Sequence, residues 1–262
     1  MDAFALRVMA SFVVAGVWIG AATMISERYG SKVGGLVGNL PSTVVVSFIF
    51  ITLTQDLSFT VRAARAVPIG MTIDAFFLLV FVLGLRKGLP AAIGLSILGW
   101  FLMALAAHTV GVPRLGSGSL LFMASALAVF LVMEKALGLR TQSARAVRHS
   151  AAQIVMRMIF AGTVVAVSVI VADSAGPYWA GLLSTFPAVM LSTLVILSLA
   201  QGPAFASGTA KVLALSSTNI LAFALVASVA YPRVGLAAGT ILAYGASVLW
   251  VIGLRPLVAR LS

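Results

Sequence analysis

Apolar residues run through this chain in blocks of about twenty, and short clusters of charge, proline and glycine separate the blocks. A helix needs about 20 apolar residues to cross the hydrocarbon core of a bilayer. On that criterion the pattern predicts about nine spans, near 4–25, 33–54, 65–85, 89–110, 117–134, 154–173, 177–200, 207–230 and 234–254. The blocks are continuous rather than alternating, which argues against a β-barrel. The first block is too long for a signal-peptide core, and no cleavage site follows it, so a retained first helix is expected. The connections are short and leave no room for a soluble domain. The longest, 134–153, is basic and polar, and an amphipathic interfacial helix is expected there.

Composition sharpens this reading. Of 262 residues 61% are hydrophobic and only 9% charged, with mean hydropathy +1.15; soluble globular chains carry about 25% charged residues. So few charges cannot cover a surface in water, so lipid is the expected solvent and partner. The formal charge of +11 raises nucleic-acid binding, but the basic residues are spread between apolar runs and form no basic face. They serve better as orienting charges. Arg7, Arg62, Arg65, Arg114 and Arg233 fall on one side, and the other twelve Lys and Arg residues on the opposite side. The richer side should be cytoplasmic, with the N-terminus outside, the C-terminus inside, and the chain in the inner (cytoplasmic) membrane. The absence of cysteine excludes disulfides and thiolate sites.

The two halves resemble each other. At a shift of 146 residues Gly30 meets Gly176, Gly35-Leu36 meets Gly181-Leu182, Pro41 meets Pro187, Leu53 meets Leu199 and Gln55 meets Gln201. At a shift of 147, Gly88-Leu89 meets Gly235-Leu236 and Ala91 meets Ala238. Four spans precede the span 117–134 and four follow it, so equivalent helices are expected to run in opposite directions. Inverted repeats of this kind recur in secondary transporters. The expected architecture is all-α and polytopic: one membrane domain over 1–262, with repeat 1 over 1–112, a linking span and basic loop over 113–152, and repeat 2 over 153–262.

Tyr178-Trp179-Ala180-Gly181-Leu182-Leu183-Ser184-Thr185-Phe186-Pro187 resembles the GlpM-like family of small bacterial inner-membrane proteins with about four helices. Val33-Gly34-Gly35-Leu36-Val37-Gly38-Asn39-Leu40-Pro41 is a weaker copy, without the aromatic pair and with Leu40 in place of Phe. Leu89-Pro90-Ala91-Ala92 with Trp100 is similar to the family's last helix. The resemblance implies a fused, inverted pair of units that otherwise occur separately. It implies architecture rather than activity.

The residues that could carry chemistry cluster at the two prolines. Proline removes a backbone donor and breaks a helix, and the freed groups need partners in lipid. Asn39, Pro41, Ser42 and Thr43 mark one break, and Ser184, Thr185 and Pro187 the other. Asn39 and Thr185 are expected to cap half-helices that begin at the prolines. The exposed N–H groups of such half-helices favour an anionic or carboxylate group; kinked helices packed through glycine are the alternative. Asp74 lies deep in its span, where a carboxylate is a candidate for proton or ion coupling, or for a structural hydrogen bond. Asn219 lies in the unusually polar stretch 216–219 of the matching span, beside Ile220, the equivalent of Asp74. Gln55 and Gln201 read as interfacial caps, and His108 and His149 are isolated, so no metal site is expected. No HExxH, Walker or Gly-x-Ser-x-Gly motif is present, and neither an enzyme nor a cofactor is expected. The leading expectation is a secondary transporter or exporter of a small solute, proton-coupled through Asp74. The alternative is a membrane scaffold or assembly protein. A homo-oligomer is compatible with either.

Overall fold

The computed structural model describes residues 2–28, 40–111, 114–140 and 149–260. Among these the regular structure is entirely helical: α1 (Ala3–Arg28), α2 (Ser42–Thr54), α3 (Leu57–Ala64), α4 (Val67–Gly84), α5 (Leu89–Val110), α6 (Leu115–Leu131), α7 (Ala151–Ser184), α8 (Ala188–Gln201), α9 (Pro203–Ser216) and α10 (Thr218–Arg260). One turn of 3₁₀ helix, Leu85–Lys87, follows α4, and one of π-helix, Val132–Ala136, follows α6. Six helices are long and apolar enough to cross a membrane, two of them 51 and 52 residues long because adjacent helices merge over Ala151–Gln201 and Pro203–Leu254. The chain is therefore a multi-pass membrane protein by length and composition.

Each merged stretch would reach roughly 75 Å if straight, against a hydrocarbon core of about 30 Å, so its bends set the architecture. Inside α7 the bend is Gly176, at φ 83° and ψ −178°, followed by Pro177. Inside α10 it is Gly235, at φ 78° and ψ 178°. Only glycine enters this backbone region readily. Gly88, between α4 and α5, has φ 105° and ψ 163°. The corners at Gly88 and Gly235 are built alike. A Cβ on Gly84, four residues before the first, would lie 2.7 Å from Cα of Ala92, four residues after it; a Cβ on Gly239 would lie 2.5 Å from Cδ1 of Tyr231, the corresponding pair at the second corner.

α4 is the central helix, buried along most of its length against α5, α6 and α9. One face of α1 and of α5 is exposed and aliphatic, as lipid-facing surface requires. α1 packs along the first part of α7 in an antiparallel crossing. A Cβ on Gly16 would come within 3.1 Å of the carbonyl oxygen of Met158, and one on Gly162 within 2.6 Å of that of Phe12. Small residues let the two backbones touch.

The helix boundaries agree with the sequence pattern for 89–110 and depart from it elsewhere. The segment 57–64 forms a separate short helix, capped by the Asp56 carboxylate, which accepts from the Phe59 N–H at 2.6 Å. α7 continues past 173 as far as Ser184. The count of about nine spans is coarser in the structure, which gives six sufficiently long helices plus the shorter apolar Ser42–Thr54. The expected interfacial helix in 134–153 falls largely on 141–148, outside the described residues, as does the first part of the span 33–54.

Candidate functional site

Pro41 and Pro187 occupy the same conformation. Each is the N-cap of its helix, with φ −75° and ψ 51° for Pro41 at α2, and φ −79° and ψ 45° for Pro187 at α8. Each sits in a tight turn: Ser42 N–H donates to the Leu40 carbonyl and Ala188 N–H to the Phe186 carbonyl, both at 2.7 Å. The first helical bonds then run from Val45 to Pro41 at 2.9 Å and from Leu191 to Pro187 at 2.8 Å. Helix geometry leaves Thr43, Val44, Val189 and Met190 without a helical acceptor for their N–H groups. Neither helix carries a side-chain cap. The expected caps are not made as the sequence suggests: the Thr185 hydroxyl donates backwards to the Leu182 carbonyl at 2.7 Å, and Thr185 ends α7 rather than starting α8. Asn39 lies outside the described residues.

The two proline-led turns meet at one cavity of about 330 Å³; residues 29–39, just before Leu40, lie outside the described ones. Pro41, Ser42 and Thr43 line it from α2, and Thr185, Phe186 and Pro187 from the break before α8. Thr193 and Leu197 of α8, Thr209 and Leu213 of α9, and Ile220 of α10 continue the wall. His149, just before α7, lines it too, so the cavity reaches from the breaks to the end of the molecule where α7 begins. The remaining sequence candidates lie elsewhere. The Ser184 hydroxyl donates to the Gly181 carbonyl at 2.7 Å, fully buried. Asn219 is buried one residue before Ile220, and its backbone carbonyl accepts from the Ser247 hydroxyl at 2.8 Å.

Asp74 is also off the cavity, 1% exposed on α4. Its Oδ1 accepts from the indole N–H of Trp100 at 2.8 Å, and its Oδ2 is buried with no hydrogen-bond partner among the described residues. Two contacts link it to the break. Trp100 packs edge-on against Phe186, with ring centroids 4.9 Å apart. At Gly70, one helical turn before Asp74, a Cβ would collide with the Thr185 hydroxyl, so the break packs directly on this turn of α4.

A charged wall residue escapes a reading of the sequence as topology. Arg157, 9% exposed on α7, lines the cavity and donates through Nη1 to the Thr193 hydroxyl at 2.9 Å. The signal was present: a guanidinium about two turns inside an apolar helix, roughly 10 Å from its start, after the capping box of Ser150 and Gln153. Lys211 is a second buried cation. It donates to Glu134 of the π-turn at 2.5 Å and to the Leu139 carbonyl at 3.0 Å, tying α9 to the segment after α6.

Residues 154–253 match the model of DUF3147, a family of proteins of unknown function. That segment runs from the start of α7 through the corner at Gly235 and includes one of the two proline breaks, Arg157 and Lys211. No curated protein and no solved structure matches the chain.

Proposed function

We propose that this chain is a secondary transporter or exporter of a small solute in the cytoplasmic membrane, and that the cavity between the two proline breaks is its binding site. The observation that carries the proposal is the meeting, at one open cavity, of two proline-led helix starts of near-identical geometry from opposite halves of the chain. Its volume lies at the small end of the range for small-molecule sites, about 300–1,000 Å³. The wall is largely apolar, and its donors are concentrated at Arg157, Thr43 and the first-turn N–H groups of α2 and α8; the hydroxyls of Ser42, Thr193 and Thr209 donate to backbone carbonyls and offer only acceptor lone pairs. Such a wall suits a solute with one carboxylate or similar singly anionic group. Broken helices whose N-terminal ends face a substrate at the membrane midplane are a recurring transporter device.

The fold of this proposal is an inverted pair of GlpM-like units, with nine crossings once the breaks at Gly176 and Gly235 are counted as turns. Reciprocity between α1 and α7 supports it. Gly16 and Gly162, and Phe12 and Met158, are equivalents at the 146-residue shift, and each glycine packs on the partner of the other. That is the contact pattern of two units related by a two-fold axis. Matching corners at Gly88 and Gly235 support it as well. In this reading the N-terminus lies outside, the C-terminus and the basic side lie in the cytoplasm, the cavity opens inward, and Asp74 carries the coupling proton.

The test is uptake and counterflow of a panel of labelled small monocarboxylates in proteoliposomes, with Arg157→Gln as the comparison. Saturable flux by the wild type, lost in the variant, is expected. A folded protein that moves none of the panel, while copurifying stoichiometrically with other membrane proteins, would favour the scaffold reading instead.

A further inference from the structure

We infer that the protein has a second access state, in which a cavity opens on the opposite face and is lined by Ser47, Val67 and Asp74. The inference rests on the inverted-repeat reading above and goes beyond it to the residues that move. In the register of the proline breaks, each wall residue of the second half has an equivalent in the first. Thr193 corresponds to Ser47, Leu197 to Ile51, Thr209 to Ala63, Leu213 to Val67 and Ile220 to Asp74. The first members of these pairs line the open cavity. The second members are packed shut, with exposures of 0% for Ser47, Ile51, Ala63 and Val67 and 1% for Asp74.

The shut set also contains unsatisfied polar atoms. Ser47 Oγ and Asp74 Oδ2 are both buried without a hydrogen-bond partner among the described residues. Buried side-chain polar atoms are normally satisfied, and an unsatisfied one is costly. Two of them at positions equivalent to the wall of an open cavity are what a site looks like when it is wet in one state and collapsed in another. Serine and aspartate would gain water on opening, whereas Ile51, Ala63 and Val67 need no partner when closed.

The contacts also say what holds it shut. The break before α8 leans on α4 through Thr185 against Gly70, and Phe186 packs on the Trp100 ring that holds Asp74 Oδ1. Thr185 and Phe186 line the open cavity as well. The same segment therefore forms the wall of one cavity and the lid of the other, so the two open in alternation. The open cavity extends toward His149 at the start of α7; its equivalent extends toward the start of α1, which the antiparallel crossing puts at the other end of the molecule. In the second state Asp74 meets water on that side, one of the two accesses a coupling carboxyl needs.

The native chain has no cysteine, so single substitutions report cleanly. Thr193→Cys, Leu213→Cys, Ser47→Cys and Val67→Cys, each reconstituted in vesicles of known orientation, are exposed to a membrane-impermeant maleimide from one face at a time. Ser47→Cys is nearly isosteric and guards against a folding artefact; monodisperse elution of each variant is the check. The first pair should label from the face bearing His149. The second pair should label more slowly, by at least about tenfold for a minor state of a few per cent, and from the face bearing the N-terminus. Labelling of the first pair with none of the second from either face overturns the second state and leaves the transporter reading standing. Labelling of both pairs from one face overturns the inverted repeat itself. No labelling of the first pair overturns the open cavity on which both rest.

Discussion

Arg157 and Asp74 divide the electrostatic work between a solvent-reaching wall and a closed interior. Arg157 lies beside Thr193 at the cavity surface, and in the proposed site it meets the anion. Arg157→Gln removes a charge-assisted bond worth about 1.5–3 kcal/mol, so apparent affinity for a monocarboxylate should fall roughly 10- to 100-fold in transport assays. Arg157→Lys should recover part of it, because it keeps the charge and loses the fork. Asp74 is tested by a different pair. Asp74→Asn can still accept from Trp100 but cannot titrate, so gradient-driven flux should disappear while counterflow and detergent melting persist. Asp74→Leu leaves the indole N–H unanswered and should destabilise by about 1–3 kcal/mol. Normal gradient-driven flux in the Asn variant removes Asp74 from coupling.

A second carboxylate, Asp56, works from an exposed position at the start of α3. The hydroxyl of Ser58 and the N–H of Phe59 donate to Asp56, with Arg62 nearby, and hold its carboxyl below the ordinary value near 3.8. A folded value below the unfolded one means that the cap's contribution is complete above the ordinary carboxylate range and is lost as pH falls through the folded value. Protection of the α3 amides in hydrogen exchange should therefore drop between about pH 5 and pH 2. In Asp56→Asn, which caps without ionising, that dependence should vanish.

At the scale of elements, the breaks depend on a few residues whose conformation no other residue type adopts cheaply. Gly176 and Gly235 sit where a side chain costs about 1–3 kcal/mol. Gly176→Ala and Gly235→Ala should each lower thermal stability by that amount, although open space surrounds both positions. Pro187→Ala is expected to have little effect on stability and a large one on the cavity, by allowing α7 and α8 to join; its readout is loss of Thr193→Cys labelling in a monodisperse protein. These elements show what the sequence made legible. The apolar blocks located α5 to the residue, because Gly88 and Gly111 bracket it. Matched prolines located the starts of α2 and α8, because proline acts locally. Cap assignment failed, because the turn at Pro187 satisfies its backbone through Phe186 rather than through Thr185. The helix 57–64 was hidden because it is short and amphipathic between two apolar runs. Arg157 was hidden because its importance depends on Thr193 and Ile220, which are distant in sequence and adjacent only after folding.

For the whole molecule, the strongest consequence of the proposed inverted pair is that its two units should assemble as separate chains. The contacts between them are extensive: α1, α2 and α3 pack on α7, α3 on α10, and α4 and α6 on α9. The ion pair of buried Lys211 with partly exposed Glu134 adds a charged link from one side of the connecting loop to the other. A chain cut between Arg140 and His149 leaves α1–α6 in one fragment and α7–α10 in the other. Coexpressed, the fragments should copurify in detergent at equal stoichiometry. The reciprocal crossing of α1 and α7 then gives a specific way to separate them. At Gly162 a new Cβ would lie 2.6 Å from the Phe12 carbonyl oxygen, backbone that cannot move aside, whereas at Gly16 the nearest atom is 3.1 Å away. Overpacking costs typically about 1–3 kcal/mol, so Gly162→Leu should weaken copurification more than Gly16→Leu, and both more than Gly99→Leu, where nothing lies within 4 Å. Equal effects of the three would mean that the crossing does not hold the halves together. Fragments that never associate, each folded alone, would remove the pseudo-symmetric pairing on which the alternation of the two cavities depends.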